Sequence, residues 1–455
     1  RGLGDVYKRQ FETKGKENNG ATYGRRSDWQ DLYSIAKKYY EALLADPGNA
    51  LFHLTDPRGA SDKSGRTFNN PYQYFFEQMH MDDAIYADES IYEYPMQQGG
   101  GNDGRPYSFG RPSSGGSKAA YPCKSYGQGR INPAYFYGVF DPNDMRRDVS
   151  ITMTGSNGKG VEKLIPFVPN SKAEGGGLTL NKWDENRQAN PWVAAQRKSG
   201  INGPYMRMSE VYLGYAEVCA ALGDVVTGKQ YLKTVRERSF PQGLANTDAF
   251  IASFGNDLVR AIIEERGFEY AGEGDRRWTL IRSGYLPEDI KRIKDMTKAM
   301  MDGLATKGYY EFENGNIISA YIWTKLVDAK TIYGHRLTAQ CPTDKVNDPV
   351  LYPGWRGQKD NWEEMGLNYG SSTPATNLAI KGLFEIVSEE EAASLESQGY
   401  TKVNWGIDLV DNRDEYDKYL FWDYDYVSAP IYLWPFTPNV MAAGGFTNGY
   451  GFKQE

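Results

Sequence analysis

Apolar positions recur at helical spacing from Ser27 to Ala45. Leu32, Ile35, Ala36, Tyr39, Tyr40 and Leu43 share one stripe. Ser27 with Gln30 three residues on fits a capping box, and Asp46-Pro47-Gly48 ends the run. Pro71 to Met79 predicts a second, shorter helix, and Ser90 to Tyr94 a strand. The pattern then vanishes. From Pro95 to Pro133 the chain is Gly, Ser and Pro interrupted by Tyr107, Phe109, Tyr121, Tyr126 and Arg130. A loop of that length inside a globular protein is functional or disordered, and the regular aromatic interruptions favour an ordered binding loop.

Periodicity returns at Gly203-Pro204, with Pro expected in a first helical turn. Tyr205 to Leu222 is apolar nearly all round, the mark of a buried helix. Gly223-Asp224 stops it and Gly228 to Ser239 starts another, which predicts an antiparallel helical hairpin. Asn256 is expected to cap Asp257 to Ala271, and Asp275 a further helix over RRWTLIRSG. Beyond about residue 340 the chain reads as loop-rich, with Trp355, Trp362, Trp405 and Trp422. No Gly/Ser linker divides two domains.

Charge and composition narrow the function. The formal charge is −7 and there is no dense Lys/Arg block, which argues against nucleic acid as a partner. No apolar run reaches the roughly 18 to 20 residues of a membrane-crossing helix. The chain holds 34 Tyr, 10 Trp and 19 Phe against 3 His, more flat amphipathic rings than a core alone explains. Cys123, Cys219 and Cys341 form no CxxC motif. Cys219 lies in the apolar helix as a small hydrophobe, and whether Cys123 and Cys341 pair is left open. Residues 1–10, RGLGDVYKRQ, resemble a translated sequencing adaptor, so the natural start and any targeting segment are expected to be missing.

Three segments carry a joint pattern. PYMRMSEVYLGYAEVCAALGD (Pro204 to Asp224) is similar to the Arg, Ser/Ala-Glu and Ala-Glu helix of the SusD/RagB family. VRERS (Val235 to Ser239) is close to its V/I-R-x-R run. AIIEERGFEYAGEGDRRWTLIRSG (Ala261 to Gly284) is similar to its E-R-x-x-E-x-x-x-E-G-x-R pattern. LWPFTPNVMAAGGFTNGYGF (Leu433 to Phe452) resembles its tail, with Phe436-Thr437 where Ile-Pro is usual. The match in order and spacing runs from about Ser27 to Phe452.

The resemblance implies a mainly α protein: tetratricopeptide-like helix pairs, a loop-rich irregular subdomain and a few short strands. It makes 11–455 one domain lacking N-terminal helices, with 204–284 the helical core and 95–133 a ligand-binding loop region. It further implies a surface-exposed lipoprotein of the outer membrane of Bacteroidota, membrane-bound only through the missing N-terminal lipid anchor. Such a protein passes glycan to a SusC-like TonB-dependent transporter without bond chemistry or cofactor. By position, Tyr107, Tyr121, Tyr126 and Arg130 are the ligand-binding candidates, with Trp355 and Trp362 on a later loop; their rings could equally pack the loop onto the helices.

The charges inside the motifs read as structural. Arg207, Glu210, Glu217, Arg236, Arg238, Glu265, Arg266, Glu269, Glu273 and Arg276 sit on otherwise apolar helices, where charge survives only as hydrogen-bonded pairs. The row Glu265/Glu269/Glu273 could instead supply a glycosidase's two carboxylates, but the interleaved Arg residues favour pairing. His80 beside Asp82 and Asp83 reads as solvated surface rather than a metal site. Gly99 to Gly104 lacks the Lys and flanking elements of a phosphate loop, and no nucleophile elbow or HExxH motif occurs. A peptide ligand as in the RagB branch, a glycan hydrolase and a protein-binding helical adaptor are the alternatives.

Overall fold

In the computed structural model the described residues are 28–57, 70–80, 86–99, 109–112, 125–156, 162–167, 176–183, 200–328, 376–414 and 437–445. Helix α1 spans Trp29–Ala45 and buries Tyr33, Ala36 and Tyr40. The buried stripe is rotated from the expected one, leaving Ile35 and Tyr39 exposed. Asp28 occupies the N-cap without a side-chain capping bond; Ser27, the expected cap, lies outside the described residues. Helix α2 (Pro71–Gln78) and strand β1 (Ser90–Tyr94) follow.

A π-helical turn at Tyr135–Val139 leads to helix α3 (Arg146–Ser150) and the short strands β2 (Ile151–Thr152), β3 (Thr154–Ser156), β4 (Glu162–Leu164) and β5 (Thr179–Leu180). Strand β6 (Gly203–Arg207) pairs antiparallel with β1, so Pro204 and Tyr205 belong to a strand and not to the first helical turn. Arg207 meanwhile occupies the N-cap of α4 (Met208–Ala221) in extended conformation. The apolar pattern of 205–222 could not show this boundary, because a strand buried on one side and a buried helix are both rich in apolar residues.

Helix α5 (Val225–Glu237) completes the expected hairpin with α4, and Asp224 caps it by accepting from the Thr227 N–H at 3.2 Å. The two helices approach closely at Gly228, where an added Cβ would come within 2.9 Å of the Ala216 carbonyl oxygen. Helix α6 (Thr247–Ala252) precedes α7 (Leu258–Glu269), which packs across both α4 and α5. Asp257 caps α7 through the Arg260 N–H at 3.0 Å; Asn256, the expected cap, instead takes φ +65° in the preceding turn. Helices α8 (Arg276–Ser283) and α9 (Leu286–Lys307) follow. The 22-residue α9 was not anticipated, although Pro287, Glu288 and Asp289 in its first turn and Gly308 at its C-cap are ordinary boundary signals.

Strands β7 (Tyr309–Glu311) and β8 (Ile317–Ser319) form a hairpin. Strand β9 (Tyr321–Asp328) lies between β10 (Thr376–Lys381) and β11 (Thr401–Asn404), all antiparallel. Helix α10 (Glu389–Ser397) opens with a capping box from Ser388 and Glu391 and precedes β11. Helices α11 (Gly406–Asp411) and α12 (Pro438–Gly444) complete the described elements. The late chain thus carries regular structure, and Trp405 is core: its Nε1–H donates to the Tyr137 hydroxyl at 2.9 Å, and Phe167 packs on it at 4.2 Å. This aromatic core also takes in Phe136, Phe312 and Phe384, while α1 and α4 share a second one and α4, α5, α6 and α7 a third. The fold is mainly α with short strands. Among the described residues no helix is long and apolar enough to cross a membrane.

Candidate functional site

Charged side chains inside the helical region form a connected network. Glu269, at the end of α7 and fully buried, accepts from Arg207, from Arg238 at 2.8 Å and from Arg146 at 3.0 Å. Arg146 also meets Glu265 at 2.6 Å, and Arg236 meets the other oxygen of Glu265 at 2.9 Å. Arg207 reaches Glu89 and Glu273, each at 3.0 Å. Arg266 bridges Glu210 and Asp275 at 2.7 Å each, Arg276 holds Glu264 and Asp289 at 2.9 Å each, and Arg282 pairs with Glu217. Asp275 therefore spends its carboxylate on Arg266 and Thr279 and makes no helix-capping bond.

Burial alone would raise the Glu269 carboxyl, but Arg207, Arg238 and Arg146 outweigh it and hold the group well below the usual carboxylate range. An acid catalyst needs the opposite shift and an open cleft. Glu265 and Glu269 face no open cleft: each meets guanidinium groups in the interior, so the paired-carboxylate reading of this row fails on geometry. The expectation for His80 is corrected: the ring is buried, not solvated, with Nδ1 2.6 Å from the Phe76 carbonyl oxygen. Asp82 and Asp83 lie outside the described residues, and among the described residues no cluster could hold a metal ion. Cys219 is buried as expected; Cys123 and Cys341 lie outside the described residues.

Of the ligand-binding candidates, Tyr107, Tyr121, Trp355 and Trp362 lie outside the described residues. Tyr126 and Arg130 are placed, on a segment that runs beside β5. Thr179 donates its hydroxyl to the Gly127 and Gly129 carbonyls at 3.1 and 3.2 Å, and Arg130 bridges to Thr179. The Ile131 N–H donates to the Leu178 carbonyl at 3.0 Å. Gly127, at φ +60°, fits against Pro112, and Gly129 lies beside Leu180 and Phe109. Residues 109–112 and 125–130 therefore form one shelf. Phe109 and Arg130 are exposed on it and Tyr126 is half-buried. The Arg130 stem lies over Gly176, where an added Cβ would come within 2.8 Å of it. Such a shelf offers ring faces and a guanidinium to a polar ligand.

A second exposed aromatic group was missed in the sequence. Tyr92, Tyr94 and Tyr205 are 54%, 44% and 42% exposed and pack edge to face across β1 and β6. The alternation of Tyr92 and Tyr94 about Glu93 was a usable signal, but assigning Tyr205 to a helix hid the third member.

The sequence profile of the SusD family matches residues 51–435. The chain belongs to the SusD family. A SusD-like protein P25 from Formosa agariphila is 28% identical over 160 residues, 35% of this chain and 26% of that relative. A solved SusD homologue from Bacteroides thetaiotaomicron is 17% identical, covering 65% of this chain and 55% of its own, with a TM-score of 0.40. Surface glycan-binding protein A of the same organism, solved with laminarihexaose, is 19% identical over 57% of this chain and 52% of its own, with a TM-score of 0.38. The chain spans about a quarter of the curated relative and about half of each of these solved chains. Most of the charged residues within the SusD family motifs belong to the buried network, whereas Tyr205 stands at the start of the first motif segment, Pro204 to Asp224.

Proposed function

We propose that this SusD-family chain captures glycan non-covalently at the outer cell surface and delivers it to a SusC-like TonB-dependent transporter. Membership of the family over residues 51–435 carries the reading. The shelf of Phe109, Tyr126 and Arg130 supports it chemically. Sugars present apolar C–H faces that stack on rings, and a guanidinium donates several hydrogen bonds to the hydroxyls around them. Rings held by a pre-ordered backbone lose little entropy on binding, and Thr179 and Gly127 supply that order. The motif carboxylates Glu265 and Glu269 are paired with arginine, which supports capture and release without bond cleavage.

Calorimetric titration of wild type, Tyr126→Ala and Arg130→Ala with oligosaccharides tests the site. The expected result is weaker binding in each variant by about three- to tenfold, with unchanged thermal stability. Unchanged affinity in both would remove the shelf from the site, and binding of peptide alone would replace glycan as the ligand.

A further inference from the structure

We infer that Tyr92, Tyr94 and Tyr205 form a second glycan-contacting surface, a rigid aromatic ridge distinct from the loop shelf; this rests on the proposed glycan-binding role. The three positions classed as exposed on β1 and β6 are all tyrosine. Ring centroids lie 5.2 Å apart for Tyr94–Tyr205, 5.5 Å for Tyr92–Tyr205 and 6.2 Å for Tyr92–Tyr94, in edge-on contacts. Each ring braces another edge to face, so the ridge is ordered while the three residues stay 42–54% exposed.

The backbone is shaped to present it. Tyr92 pairs with Met206 and Glu93 with Pro204, which leaves Tyr205 as an extra residue in β6. A bulge of this kind re-aims one side chain, and here it brings Tyr205 out beside the two β1 tyrosines. Glu93 fixes the opposite face. It is buried and accepts from the Ala87 N–H at 2.9 Å, the Ser90 hydroxyl and the Asn202 amide at 2.9 Å. Asn202 in turn accepts from the Met96 N–H at 2.9 Å. A strand anchored through a buried carboxylate between two outward tyrosines cannot slip by one residue without burying a ring and exposing the anchor.

Ligand chemistry follows from what the ridge lacks. Its exposed positions carry no charge in a chain of net charge −7, which suits an uncharged polyol rather than an anionic polymer or a basic peptide. The ridge is also continuous in sequence with the candidate binding region, because β1 ends at Tyr94 and that region begins at Pro95.

The test compares the full chain with two triple variants, Tyr92→Ala/Tyr94→Ala/Tyr205→Ala and Tyr92→Phe/Tyr94→Phe/Tyr205→Phe, in gels containing soluble neutral polysaccharides. Thermal melting checks that each is folded. The alanine variant is expected to lose at least about tenfold in affinity and the phenylalanine variant less than about threefold. Wild-type affinity in the alanine variant, with loss in Tyr126→Ala, would overturn the ridge and leave the glycan-binding role standing. Equal losses in both triple variants would overturn the stacking account. No retardation of wild type by any glycan would overturn both proposals.

Discussion

Arg207 and Glu269, 62 residues apart in sequence, meet where the end of β6 faces the end of α7, and both are buried. Arg207 also donates to the Glu269 backbone carbonyl at 2.8 Å, so it holds both the side chain and the helix terminus. Arg146 and Arg238 reach the same carboxylate from α3 and from the end of α5. One carboxylate thus ties four parts of the chain together. The family's Arg and Glu motif residues are explained by this joint, because buried charges persist only when several partners satisfy them.

Removing the joint is costly. Glu269→Ala leaves three guanidinium groups short of a partner in the interior, and a loss of about 3–5 kcal/mol of unfolding free energy is expected. Urea unfolding followed by tryptophan fluorescence measures it. A loss below about 1 kcal/mol would show that the network contributes little.

Acid weakens the fold through the same group. Glu269 and Asp275 are depressed from ordinary values of 4.5 and 3.8: burial opposes ionisation, but Arg207, Arg238 and Arg146 around one, and Arg266 beside the other, prevail. A carboxyl with a lowered folded pKa adds stability that is complete above its unfolded pKa and is lost as pH falls toward the folded one. Unfolding free energy is therefore expected to drop from about pH 5 downward, and the drop is expected to be shallower in Glu269→Gln. Parallel curves for the two proteins would contradict the assignment.

Lys182 predicts the opposite limb. Burial lowers its ammonium from 10.5 to about 8, against the pull of Glu273 at 2.7 Å. Between about pH 8 and pH 10 the unfolded chain binds more protons at this group than the folded one, so its contribution rises with pH. Lys182→Met is expected to remove that rise from the unfolding free energy measured across the window. An unchanged slope would show that the amine titrates normally.

The shelf depends on Gly176. Its φ of +135° and the Arg130 stem above it leave no room for a side chain. Gly176→Ala is expected to displace Arg130 and weaken glycan binding about as much as Arg130→Ala does, with calorimetry as the check. Wild-type affinity would detach Arg130 from the site.

The helical core was legible because its signals are local: the apolar runs of α4 and α7, the Gly223-Asp224 break, and the Arg/Glu spacing of the motifs. The boundary at Arg207 was not, since a strand is defined by a partner, and β1 lies more than a hundred residues upstream. His80 misled because a polar neighbourhood in sequence says nothing of what covers a ring in space. The tyrosine ridge was hidden for a similar reason: the bulge that turns Tyr205 outward exists only once β1 and β6 are paired. Tyr126 and Arg130 were candidates by their position in the aromatic-broken loop, as the family resemblance implied, and only the fold shows the shelf that holds them.

The central claim is capture without cleavage. It is tested most directly by native electrophoresis of the full chain through gels containing a panel of soluble polysaccharides, with chromatography of the same polysaccharides after long incubation with the protein. Retarded migration in at least one glycan, with no shorter products released, is the predicted result. Release of oligosaccharides, or migration unaffected by every glycan while a peptide pool binds, would contradict it.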